Sequence, residues 1–68
     1  MSEEKFLSYA GVTDMTSLRE ATIRRLVSAG DFPEPISLSP RRRAFVKSEI
    51  LQWMEDRVSM TRLQDRQT

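Results

Sequence analysis

Arginine is the residue type with the clearest chemistry in this chain, and three arginines are consecutive at Arg41-Arg42-Arg43. Adjacent like charges repel one another in a tight turn, and a hydrophobic core gains nothing from them. A phosphate backbone or a narrow minor groove does gain, through counterion release and inserted guanidinium groups. The triplet therefore favours contact with a polyanion; the alternative is a solvated strand edge whose charges prevent aggregation. Because only alternate side chains of a strand share a face, we expect Arg41 and Arg43 to point together and Arg42 to point away.

A second group of arginines lies in a segment with helical periodicity, Leu18 to Ala29. At about 100° per residue, Ile23, Leu26 and Val27 fall on one arc and predict a buried face. Gly30 follows as a C-terminal cap. The candidate DNA contacts are the polar residues on the other arc, at its margins and at the helix start. The alternative is that these charges serve solubility alone. The candidates are Arg19, Glu20, Thr22, Arg24, Arg25 and Ser28.

Glu20 lies near the start of that helix, where base contacts of a recognition helix concentrate. Its carboxylate can accept a hydrogen bond from a cytosine amino group, or it can orient a neighbouring arginine. The pattern leaves both roles open.

Composition narrows the classes of function. The chain has 68 residues with no cysteine and no histidine, which excludes disulfide scaffolds, zinc fingers and Cys/His catalysis. Its net charge of +1 is the sum of −2 for residues 1–15, +4 for 16–47 and −1 for 48–68. We therefore expect no enzyme activity, no cofactor and no metal, and a basic middle segment that binds a polyanion. The acidic pairs Glu3-Glu4 and Glu55-Asp56 are interpreted as solvated charge, because adjacent residues do not share a helix face.

Elements of fixed order must position these residues. The sequence predicts a short helix from an N-cap at Ser8 to about Met15, then the helix 18–29. A hairpin follows, with a short half-buried strand in which Ile36 and Leu38 alternate with Ser37 and Ser39, a turn at Ser39-Pro40-Arg41 and a returning strand 43–46. The last helix is predicted to start with Ser48 as N-cap and to bury Ile50, Trp53, Met54 and Val58. The aromatic residues are assigned to the core rather than to a base-stacking platform: Tyr9, Phe32, Phe45 and Trp53.

This order predicts a mainly α fold with a small β-hairpin, a winged helix-turn-helix whose second helix enters the major groove and whose hairpin is the wing. We expect a flexible N-terminus at 1–5, the domain at 6–58, and a C-terminal tail at 59–68 that is partly helical or frayed. No signal peptide or spanning segment is visible, and a cytoplasmic location is expected.

The sequence also resembles the AlpA-like phage and prophage regulators. The resemblance runs from about residue 6 to 57, and two motifs carry most of it. These are the turn Gly30-Asp31-Phe32-Pro33-Glu34-Pro35 and the helix start Ser48-Glu49-Ile50 with Trp53. It implies a MerR-like winged helix that binds DNA, in a transcriptional regulator or in an excisionase that directs a tyrosine integrase towards excision.

Several residues depart from the family pattern. Arg24 stands where tyrosine is usual, Phe45 where tryptophan is usual, and Ser17 in place of a glycine. Ser39-Pro40 replaces a turn that is often rich in glycine, and residues 19–21 replace a Ser-Arg-Ser start. These changes keep size or turn character, so the fold expectation stands, but the DNA sequence read by relatives does not transfer.

The resulting hypothesis is a sequence-specific duplex DNA-binding protein of a phage or integrated element. The recognition helix supplies the residues between Arg19 and Ser28 named above, and the wing supplies Arg41, Arg42 and Arg43. The expected partners are double-stranded DNA and either an integrase or further copies of the chain on DNA, with no membrane and no small-molecule substrate. The alternative is a protein-interaction adaptor or antitoxin that does not bind DNA.

Overall fold

The structure is a computed structural model that describes the backbone of residues 5–66 and the side chains of residues 5–63. It contains three helices and a three-stranded antiparallel sheet. In chain order the elements are β1 (Phe6–Leu7), α1 (Tyr9–Thr16), α2 (Glu20–Ser28), β2 (Ile36–Ser39), β3 (Arg42–Val46) and α3 (Lys47–Arg66). The predicted flexible N-terminus falls almost wholly on residues 1–4, which lie outside the described residues.

Helix α1 is short and is fixed at both ends by local hydrogen bonds. Ser8 caps its start, since the Ser8 Oγ accepts a hydrogen bond from the Gly11 amide at 3.2 Å. Its end is set by Ser17, which has a left-handed backbone (φ 65°) and donates its amide to the Thr13 carbonyl at 2.7 Å. Only the residues 17–19 separate α1 from α2. The predicted cap and the predicted break are thus both confirmed.

Helix α2 begins two residues later than predicted and ends in a compact capping turn. Gly30 has a positive φ of 79°, and its amide donates to the Val27 carbonyl at 3.0 Å. The Asp31 amide donates to the Leu26 carbonyl at 2.9 Å. These paired bonds form a Schellman motif, in which glycine adopts the left-handed conformation at little cost. Gly30 as the terminator of α2 is confirmed.

The sheet has one strand more than the predicted hairpin. β3 lies in the centre and pairs with β1 on one side and β2 on the other, in the order β1-β3-β2. Phe6 faces Val46 and Leu7 faces Phe45, while Ile36 faces Ala44 across the other ladder. With two residues, β1 is too short for its sequence to show the alternation typical of a strand. It is defined by its long-range pairing with β3.

The hydrophobic core lies between α1, α2, the start of α3 and one face of β3. Phe45 is fully buried at its centre, with edge-to-face contacts to Tyr9 (ring centroids 5.0 Å apart) and Phe32 (5.8 Å). The Phe32 and Trp53 rings lie 4.6 Å apart. The assignment of these four aromatic residues to the core is confirmed. The buried cluster comprises Val12, Ile23, Phe32, Phe45 and Ile50.

Three sequence predictions about the second half of the chain are wrong. β2 is not half-buried: Ile36 and Leu38 are 39% and 47% exposed, because β2 is an edge strand and the core packs against β3. Ser48 is not an N-cap, because β3 passes directly into α3 at Lys47 without an intervening loop. Val58 is 50% exposed, because α3 continues to Arg66 beyond the elements that cover Ile50, Trp53 and Met54.

Candidate nucleic-acid interface

Helix α2 presents a charged face to solvent. Ile23 is fully buried and Leu26 and Val27 are half-buried against the core, as the helical period predicts. The opposite side carries the exposed residues, and Thr22 lies half-buried at its margin. The candidate contacts Glu20, Arg24, Arg25 and Ser28 are all exposed along this face.

The start of α2 differs from that of α1 in having no side-chain cap. Arg19 occupies the N-cap position with an extended backbone (φ −72°, ψ 155°), and its side chain makes no capping hydrogen bond. Arg19 is exposed, and its side chain does not cap the amides of the first helical turn. Glu20 follows as an acidic residue in that turn.

Glu20 and Arg24 form an ion pair one helical turn apart. Both the Arg24 Nε (2.9 Å) and the Arg24 Nη2 (2.7 Å) donate to the same oxygen, Glu20 Oε2. The sequence left two roles open for Glu20, and the geometry is that of a carboxylate orienting an arginine. The i, i+4 spacing was the signal available for this pair.

Tyr9 of α1 also holds the Arg24 side chain, and sequence reasoning missed this contact. The Arg24 Cζ lies 4.4 Å from the centroid of the Tyr9 ring, within the range of a cation–π interaction. The hydrogen bond that Arg24 donates to Glu20, followed by the Tyr9 side chain, raises the pKa of Arg24 above its ordinary value. Because Tyr9 is on another helix, no local spacing rule could have indicated it.

Arg41, Arg42 and Arg43, here called the arginine tip, lie at the far end of the hairpin. Pro40 and Arg41 form the turn, and Arg42 and Arg43 are the first residues of β3. All three are exposed, and none forms an ion pair among the residues whose side chains are described. Arg41 belongs to the turn, so the alternation of side chains along a strand applies only to Arg42 and Arg43, which point to opposite faces. Strand alternation therefore does not give Arg41 and Arg43 the shared face that was predicted.

The hairpin is irregular next to the arginine tip. Ser37 pairs with Arg43 and Ser39 with Arg42, so Leu38 is an extra residue on β2. The Ser37 hydroxyl donates a hydrogen bond to the Ser39 carbonyl at 2.9 Å. A bulge of this kind increases the local twist of a hairpin and redirects the side chains at its end.

An open cleft with acidic walls lies elsewhere on the molecule, between the loop after α2 and the first turns of α3. Its volume is about 740 Å³, and the Trp53 indole forms part of its wall. Trp53 also donates its Nε1 hydrogen to the Asp31 carbonyl at 2.8 Å, which ties α3 to that loop. Because its carboxylates repel a polyanion, we do not include this acidic cleft in the candidate interface. The carboxylates of the cleft are Asp31, Glu34, Glu49 and Asp56.

The described residues contain no group of three or more side chains able to hold a metal ion. Glu55 and Asp56 are both exposed, and Asp56 accepts a hydrogen bond from Gln52 Nε2 at 3.0 Å. Glu3 and Glu4 lie outside the described residues. Among the helices of the described part, none is long and apolar enough to cross a bilayer.

Comparison with known proteins places the chain in a family. The family model described as "Prophage CP4-57 regulatory protein (AlpA)" matches residues 5–58. The chain belongs to the AlpA family. The resemblance identified from the sequence motifs is therefore confirmed, and the AlpA match includes every candidate contact on α2 and in the arginine tip.

By its description, the AlpA family is a prophage regulatory family. One curated relative is the "Uncharacterized protein ORF88" of Enterobacteria phage P4, which is 32% identical over 59 residues, covering 87% of this chain and 67% of the relative. No solved structure matches the chain.

Proposed function

We propose that this chain binds duplex DNA as a regulatory protein of a phage or integrated element. The observation that carries the proposal is the placement of two exposed arginine groups on an AlpA-family chain: one on α2, which follows α1 after a three-residue turn, and one on the β2–β3 hairpin. We take the fold to be a MerR-like winged helix-turn-helix, with α2 as recognition helix and the hairpin as wing.

The two groups have complementary roles in this proposal. Arg19, Glu20, Thr22, Arg24, Arg25 and Ser28 face the major groove, which is wide enough to admit one α-helix. Arg41, Arg42 and Arg43 contact phosphates or enter a minor groove. The acidic cleft faces away from DNA, because the phosphate backbone repels its carboxylates.

Salt dependence of binding is the decisive test. If the chain makes about four or five phosphate contacts, the logarithm of its affinity for a duplex falls with the logarithm of salt concentration at a slope near −4. Fluorescence polarisation with a labelled duplex, repeated at several salt concentrations, measures this slope. Absence of salt-dependent binding would favour the adaptor or antitoxin alternative and would overturn the proposal.

Excisionase and transcriptional regulator require the same basic surface, and the two activities are separated by assay. Addition of the chain to an integrase reaction on attachment-site DNA tests for excision, and a promoter reporter tests for regulation. An excisionase shifts the reaction towards excised product; a regulator changes reporter output without integrase. Because one copy covers a short stretch of DNA, we expect cooperative binding of several copies to repeated sites.

A further inference from the structure

The Arg24 guanidinium has one of its two hydrogen-bonding edges occupied by protein. The edge formed by Nε and Nη2 donates to a single oxygen of Glu20. The remaining donors are both hydrogens of Nη1 and the second hydrogen of Nη2. One Nη1 hydrogen and the free Nη2 hydrogen form a fork at the end of the side chain, and Glu20 leaves this fork free.

One face of the same guanidinium is covered as well. The Tyr9 ring lies 4.4 Å from the Arg24 Cζ, and the ring is itself fixed by its edge-to-face contact with buried Phe45. Arg24 nevertheless keeps 60% of its side-chain surface exposed. An exposed arginine normally loses rotamer freedom when it binds, and this one is already restrained before a ligand arrives.

We propose that Arg24 reads a guanine in the major groove, donating its free fork to the O6 and N7 atoms, and that Glu20 and Tyr9 are its positioning residues. Guanine presents those two acceptors side by side, and a bidentate arginine is the side chain that matches them. The inference rests on the proposed DNA-binding function and deepens it, because it names the base that one α2 residue recognises.

Arg25 provides the contrast within the same helix. It is exposed, and its side chain has no hydrogen bond or ion pair in the described part of the chain. A guanidinium free to move suits a phosphate, whose charge is attractive from many directions, better than it suits the fixed pattern of a base edge. We therefore assign Arg25 to the backbone and Arg24 to the base.

The experiment uses the whole chain and a pool of duplex DNA with randomised positions. Selection identifies the preferred sequence, and competition between duplexes with guanine or adenine at each position measures discrimination. For Arg24→Ala, discrimination at one guanine position is expected to fall by about 5- to 150-fold. For the control Arg25→Ala, we expect weaker binding to all sequences, a salt slope shallower by about 0.9 and the guanine preference retained.

The positioning residues are tested with Arg24 intact. In Glu20→Ala and Tyr9→Leu, the guanine preference is expected to weaken because the fork is no longer held, whereas Tyr9→Phe keeps the ring and the preference. Tyr9 also packs on Phe45, so thermal melting by circular dichroism checks that each variant is folded. Glu20 is exposed, and Glu20→Ala tests positioning without disturbing the core.

The outcomes separate this inference from the proposed function. Salt-dependent binding in which Arg24→Ala and the unaltered chain discriminate equally at every guanine would overturn the inference and leave DNA binding standing. An equal loss of affinity on every sequence would assign Arg24 to phosphate contact and overturn it too. Absence of salt-dependent binding by the unaltered chain would overturn the proposed function and the inference together.

Discussion

On α2, the Arg24 guanidinium is fixed by Glu20 along one edge and by the Tyr9 ring on one face. At the arginine tip, Arg41, Arg42 and Arg43 project into solvent with no ion pair among the described side chains. A fixed donor favours a ligand with one matching orientation, whereas free donors favour a ligand that is attractive from many directions. The comparison supports sequence reading by α2 and backbone contact by the tip.

The difference follows from the elements that carry the arginines. A helix places residue i+4 beside residue i, so Glu20 comes within reach of Arg24 without any long-range packing. Packing of α1 beside α2 then adds the Tyr9 ring. At the tip, Arg41 lies in the turn and Arg42 and Arg43 begin β3, and the side chains of all three are exposed. The helical period and the packing of α1 thus orient Arg24, whereas the arginines of the tip form no ion pair with a described side chain.

The largest effect is expected for Phe45→Ala, which removes the support of both regions. Phe45 is fully buried, holds Tyr9 beneath Arg24 and belongs to the strand that carries Arg42 and Arg43. Truncation of a buried phenylalanine costs about 3–5 kcal/mol, comparable with the whole stability of a domain of this size. Urea unfolding measures the change.

Leu51→Ala is the matched control for Phe45→Ala, because Leu51 is 43% exposed and its truncation is expected to stay within about 0.5 kcal/mol. Equal stability of the two variants would show that the aromatic cluster does not support the interface.

The double variant Arg41→Ala, Arg43→Ala tests the tip directly. We expect its affinity to fall on the order of 10-fold for every duplex, and its salt slope to become shallower by about 1.8, because two phosphate contacts are lost. Its preference among sequences should stay the same. Polarisation titrations with several duplexes measure both quantities. Arg62→Ala, an exposed cation on α3, controls for lost charge; a changed base preference in the double variant would break the comparison.

A smaller effect is expected for Ser17→Gly. Ser17 lies in the turn between α1, which carries Tyr9, and α2, which carries Arg24. Ser17 has a φ of 65°, a region that costs a side chain energy and costs glycine little. Stability should rise by about 0.5–1 kcal/mol, measured as a higher urea midpoint, while the base preference is unchanged. Ser59→Gly, within helix α3, is the control and should lower stability by about 0.5 kcal/mol. A loss of stability in both variants would contradict the prediction.

The parts of the fold that depend on neighbouring residues were predictable from the sequence. The Ser8 cap, the buried arc of α2 and the glycine terminator each follow a rule that operates within one helical turn. The left-handed φ of Ser17 is a physical reason for the glycine that the AlpA-like resemblance implies at this position. That Glu20 could orient an arginine was one of two roles left open, and the i, i+4 spacing to Arg24 could have favoured it.

The parts that depend on distant residues were not predictable. β1 is too short to have a period and exists through its pairing with β3. Ile36 and Leu38 alternate as a half-buried strand does, yet the core lies against the neighbouring strand, which no local pattern reveals. The start of α3 was misassigned because β3 ends at Val46 and α3 begins at Lys47, with no loop residue between them. Tyr9 was assigned to the core, and its contact with Arg24 required two helices to be placed side by side.

The Lys47 amide donates a hydrogen bond to the Lys5 carbonyl at 2.8 Å, where β1 begins and β3 ends. The backbone between these residues is thereby a closed ring, and each candidate DNA contact lies within it. Closing a ring of this length costs chain entropy, because its ends are far apart in the sequence. Formation of α1, α2 or the hairpin alone does not carry this cost, because each joins residues that are close in the sequence. During synthesis, the ring cannot close before Lys47 has left the ribosome. The proposed DNA-binding surface is thus complete only when β1 pairs with β3.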